Sequence, residues 1–161
     1  MRKFFVIFLF LYSLSGIAQD NNFIVEKDKL VWENVFISTE TNIPNIVGRH
    51  SRLKIISSEG LVYKGKAVEL RNTCPGSSNL LKNDYSYDFE IELKEGKYRV
   101  TVSNIVFYKK VKKQKVVSTA ESNFIENAKL KQDATTLADL TCIENYIVKL
   151  FSPIMAYKSK S

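Results

Sequence analysis

The stretch DFEIELKEGKYRVTVSNIVFY, residues 88 to 108, constrains the fold more than any other part of the chain. Apolar and polar residues alternate along it with a period of two, the repeat of a β-strand that buries one face. Glu95 and Gly96 interrupt the alternation as a two-residue turn, with Gly96 supplying a positive φ. That turn sets Leu93 opposite Tyr98, Ile91 opposite Val100 and Phe89 opposite Val102, all on one face. On the other face Glu92 meets Arg99 and Glu90 meets Thr101. The charges therefore read as solvated cross-strand partners, each pair contributing roughly 0.2 to 1 kcal/mol, and not as a working site.

Beyond Asn104 the alternation stops, because Ile105, Val106, Phe107 and Tyr108 are apolar on both faces. The stretch LVWENVFI, residues 30 to 37, behaves in the same way. Strands of this kind are covered on both sides. Either another segment of the chain or a partner has to cover the second face, which makes Trp32, Phe36, Ile105 and Phe107 a candidate interaction surface.

Elsewhere the punctuation is plainer. Residues 39 to 56 place Ile43, Ile46, Val47, Leu53 and Ile56 near a helical period, with Thr41 or Asn42 as cap, Pro44 in the first turn and Gly48 as an interruption. Residues 61 to 71 predict a strand with Gly65 at a bulge, and residues 72 to 84 an irregular connection. Residues 119 to 151 read as helical, opened by a capping box of Ser118 and Glu121. In the second half of that segment Leu137, Leu140, Ile143, Ile147, Leu150 and Phe151 form one apolar stripe, and Pro153 closes it. The element order predicts an α+β domain, an antiparallel sheet with helices packed on one face.

The N-terminus bears on compartment. Arg2 and Lys3 precede an apolar run from Phe4 to Leu14, and small residues follow at Gly16 and Ala18. That is the plan of a secretory signal peptide over residues 1 to 18, cleaved near Ala18, with a run too short to be a comfortable transmembrane helix. The expected product is a single domain over residues 19 to 161, periplasmic or secreted, with no transmembrane helix and a net charge of about +5 once Arg2 and Lys3 are removed from the formal +7.

Taken together, GIAQD, LVWENVF, YKGKAVEL, the hairpin of residues 88 to 108 and the closing amphipathic helix resemble an exported Bacteroidota family, domain of unknown function 4468. The resemblance implies a TBP-like fold and export. It implies no activity, because the family has none to carry over.

The chemistry-bearing residues point the same way. Lys109, Lys110, Lys112, Lys113 and Lys115 crowd seven positions and form a candidate anion patch. A lysine run also guards a strand edge against pairing with other chains. An exported protein rarely meets nucleic acid, so an anionic envelope surface is the expected partner of such a patch if it has one. His50 is the only histidine, which excludes triads and metal sites needing two imidazoles, and Arg49 and Arg52 near it should depress its pKa. Asp88, Glu90 and Glu92 share the polar face of one strand, a spacing any wet strand face provides. No cofactor, metal or catalytic set is implied. Export allows Cys74 and Cys142 to bond, but the apolar stripe puts Cys142 on the opposite face of its helix. The 72 to 84 connection would have to wrap over the outside of that helix, so the reading inclines to two separate thiols and keeps the bridge as the alternative.

The expected function is that of a non-catalytic binding or interaction module of the envelope, with an envelope protein or a second copy as partner. The alternative is an unfamiliar enzyme, or a binder, acting on an anionic envelope polymer.

Overall fold

The computed structural model describes residues 21–71, 74–75, 77–111 and 114–153, so the expected signal segment and the 18/19 boundary lie outside the described residues. At its centre stand β5 (Asp84–Lys94) and β6 (Lys97–Val111), joined by the Glu95–Gly96 turn, in which Gly96 takes φ +68°. Phe89 pairs with Val102, Glu90 with Thr101, Ile91 with Val100, Glu92 with Arg99 and Leu93 with Tyr98, the register that the alternation predicts.

On one side of the hairpin, β2 (Lys29–Ile37) pairs with the first half of β6, and β1 (Phe23–Glu26) pairs with β2 across a turn in which Lys27 and Asp28 are both left-handed. On the other side, β4 (Val62–Leu70) pairs with β5, and β3 (Leu53–Glu59) forms the far edge. The order is β1-β2-β6-β5-β4-β3, antiparallel throughout, with β7 (Gln114–Thr119) pairing the second half of β6.

Three register shifts bend this sheet. One extra residue is inserted near Ile56 in β3, one near Glu69 in β4 and one near Asn104 in β6. Glu69 and Asn104 take φ +50° and +53°, the left-handed conformation found in one class of bulge. The bulge at Asn104 explains the change in the apolar pattern. It moves the inward set from Tyr98, Val100 and Val102 to Ile105 and Phe107.

Gly65 lies opposite the bulge in β3, where Ile55 pairs with it and Ser57 with Lys64, but is not itself the inserted residue. On the β5 side it keeps regular register opposite Phe89, and a Cβ there would collide with the Phe89 ring and with the carbonyl oxygen of Lys54. Its missing side chain is therefore space that Phe89 occupies. Gly65→Ala is expected to lower the free energy of unfolding by about 1 to 3 kcal/mol, read from the urea midpoint. An unchanged midpoint would show that the ring is free to move aside.

The helices lie on one face. In α1 (Ile43–Gly48), Asn42 is the cap, accepting from the Asn45 N–H, and Pro44 stands in the first turn. The expected helix is shorter than the sequence suggests, because residues 53 to 59 belong to β3. The 119 to 151 segment is likewise not one helix. It divides into α2 (Ala120–Phe124), capped by Thr119 and not by Ser118, a small hairpin of β8 (Ile125–Glu126) and β9 (Lys129–Leu130), and α3 (Ala134–Phe151), capped by Asp133. The stripe on α3 does what its period promises: Leu140, Ile143, Ile147, Leu150 and Phe151 are buried, and Leu137 is half-buried. Phe151 meets Phe89 edge to face at 5.2 Å, and its carbonyl accepts a hydrogen bond from the Tyr98 hydroxyl at 2.5 Å. No helix among the described residues is long and apolar enough to cross a membrane.

The two cysteines are bonded, correcting the leaning toward separate thiols. The connection does cross the outer side of α3. Ser78 donates its backbone N–H to Asp139 at 2.8 Å and its hydroxyl to the other carboxylate oxygen, and Leu81 is fully buried. Covered in this way, Asp139 and Cys142 are buried although they lie off the apolar stripe.

Candidate binding surface

The four residues first read as an interaction surface belong to the core. Trp32 donates its indole N–H to Glu144 of α3 at 3.0 Å, Phe36 stacks on Tyr98 at 5.3 Å, Phe107 meets Phe124 of α2 at 6.0 Å, and Ile105 is fully buried. All four are shielded by the protein's own elements, so none offers a surface to a partner. Apolarity on both sides of β2 left open which side was covered, and the helices cover the Trp32 side.

The opposite face carries the exposed groups. On β2 it presents Glu33, Val35 and Ile37, with Val35 45% and Ile37 78% exposed. Next to them runs a ladder of charges. Arg99 reaches Glu33 at 3.8 Å and also bonds Glu92, which Lys94 approaches at 3.2 Å. Lys64 pairs with Glu90 and Lys66 with Asp88, both at 3.3 Å, and Asn104 donates to Asp88 at 2.9 Å. A shallow depression between these pairs is floored by Gly65 and Phe89 and reaches Thr101 and Ser103. The side chains of the ladder are largely in water, so each pair contributes well under what a buried pair would.

Two carboxyl groups are held below the usual carboxylate range. Glu92 is lowered chiefly by the hydrogen bond from Lys94 and then by Arg99. Asp133 is lowered by the Thr136 backbone N–H, which its side chain caps, and by the Thr136 hydroxyl. His50 is lowered as expected, but burial is the largest cause, followed by Arg49 and Lys149; Arg52 is not among them. Burial raises the hydroxyl pKa values of Tyr85 and Tyr87 far above the ordinary tyrosine value.

Of the lysine cluster, Lys109 is exposed, and Lys110 and Lys115 are cross-strand partners in β6 and β7. Lys112 and Lys113 lie outside the described residues.

A bent antiparallel sheet with helices on one face and the other face open has counterparts among solved structures. The fold is TBP-like. A TBP-like protein from Parabacteroides distasonis superposes with a TM-score of 0.53 at 16% identity, covering 80% of this chain and 94% of that one. A DUF4468 family protein from Bacteroides ovatus superposes with a TM-score of 0.51 at 15% identity, covering 88% of this chain and 96% of that one. Identities this low carry fold alone. No protein-family model and no curated protein matches the chain.

Proposed function

We propose that this is an exported, non-catalytic binding module of the cell envelope whose TBP-like sheet offers its helix-free face to a protein partner. The observation that carries the reading is the composition of that face: Val35 and Ile37 stand exposed beside the charge ladder of Glu33, Arg99 and Glu92. Exposed aliphatic groups rimmed by ordered charges suit protein recognition, the apolar part giving affinity and the charges giving register.

A chain bearing Val35→Asp and Ile37→Asp tests this. Both positions are on the wet face, so thermal stability should change by only about 0.5 kcal/mol. Photo-crosslinking from position 99 in intact cells should give a discrete adduct that the double variant loses. Adducts that survive in the double variant, or a protein that stays in the cytoplasm with residues 1 to 18 attached, would overturn the proposal.

A further inference from the structure

We infer that the cleft beside the Asn104 bulge binds one ring of a neutral saccharide. Two hollows of about 460 and 480 Å³ meet there on the helix-free face, and Lys66, Asp88 and Asn104 line both. The second hollow extends to Val68, Val106 and Tyr108. These three are half-buried and stand on the open side of their strands, since their neighbours Ala67, Ile105 and Phe107 are buried against the helices.

The bulge orders the polar corner. With φ +53°, Asn104 sets its side-chain N–H₂ 2.9 Å from one carboxylate oxygen of Asp88, while Lys66, opposite Asp88 on β4, reaches the other oxygen at 3.3 Å. A carboxylate has about four acceptor sites, so each oxygen of Asp88 keeps room for a further donor. The Asn104 amide oxygen accepts no bond among the described residues. A bound hydroxyl therefore finds acceptors at Asp88 and Asn104 and a donor at Lys66, next to an apolar wall.

Charge and topology select the occupant. The lining holds two lysines, Lys64 and Lys66, and two carboxylates, Glu90 and Asp88, paired across β4 and β5, so the cleft carries no net charge. An anion or a cation would have to break a pair to enter. A peptide strand adds at a free sheet edge, and β5, which runs through the cleft, is paired on both sides. A sugar suits both halves: its hydroxyls donate and accept at once, so they join a pair without breaking it, and the C–H face of a pyranose rests on Val106 and Tyr108. Val35 and Ile37 line neither hollow, so the inference is independent of the partner surface proposed above.

The buried core runs from Phe23 to Phe151, so the chain from residue 19 onward is the one to test. It is titrated by amide NMR with neutral hexasaccharides of glucose, galactose, mannose and N-acetylglucosamine, to millimolar concentration. At least one should saturate and shift the amides of Lys66, Asp88, Asn104 and Tyr108, with a Kd that is the same at low and high salt because no net charge is met. Asn104→Gly keeps the left-handed backbone and removes the side chain, and should weaken that binding about tenfold. Tyr108→Ala should weaken it about fivefold. Val35→Asp with Ile37→Asp should leave it unchanged, which separates this site from the partner surface. Saturation by none of the four sugars, binding that Asn104→Gly leaves intact, or shifts confined to β2 would each overturn the inference. So would tighter, salt-sensitive binding of heparin at the same amides, which would assign the cleft to charge.

Discussion

Replacing Cys74 and Cys142 together by alanine is expected to cost about 4 kcal/mol of unfolding free energy, one of the two largest effects of any small change to this protein. The bond closes a loop of 68 residues, and in the chain-entropy account a loop of that size removes about 4 kcal/mol of freedom from the unfolded chain. The native side of the balance adds to this. Without the bond, the connection over α3 is held by Ser78 on Asp139 and by buried Leu81, and its loosening would give up those hydrogen bonds and return Leu81 to water. Guanidinium unfolding measures the effect. The native protein in reductant should fall to the midpoint of the double variant, and the variant should be indifferent to reductant. Two free thiols titrating in the unfolded, unreduced protein would refute the assignment.

The cysteine pair also shows where sequence patterns stop being informative. A stripe at 3.6-residue spacing identifies the face of α3 that meets the sheet, and that part is legible. It says nothing of a second cover on the other side, and the loop that provides it has no periodicity to read. The same limit applied to β2. Its two apolar sets are visible in LVWENVFI, but only the packing of Glu144 and the helices decides that Trp32 faces inward and Val35 outward.

The missed elements share a different cause. Between β8 and β9, Asn127 and Ala128 both take positive φ without a glycine to announce it, and Lys27 and Asp28 do so between β1 and β2. A non-glycine pair in that conformation gives little turn signal, so residues 119 to 151 read as one long helix and β1, ahead of the strand read over residues 30 to 37, is not read at all. The cap at Asp133 was readable, since Asp is among the preferred caps and an apolar periodic stretch begins just after it. The central hairpin was readable throughout because turn, alternation and cross-strand pairing all gave one register.

Trp32 provides the sharpest separation between core and surface. Trp32→Ala should destabilise the protein by about 3 to 5 kcal/mol, since the side chain is fully buried and its removal leaves a cavity between β2 and α3. Trp32→Phe retains most of the volume but removes the indole N–H together with part of the five-membered ring. Among the described residues, Glu144, 8% exposed, then keeps the Asn22 N–H, at 3.2 Å, of the two donors that now reach it, and the expected loss is about 1 to 3 kcal/mol. Adding Glu144→Gln to Trp32→Phe should recover part of that loss, because a neutral amide is less costly to leave under-bonded than a carboxylate. The three variants are compared by urea midpoint. If Trp32→Ala instead left the midpoint in place and abolished capture of a partner, Trp32 would be a contact residue and the inward packing of β2 against α3 would be wrong.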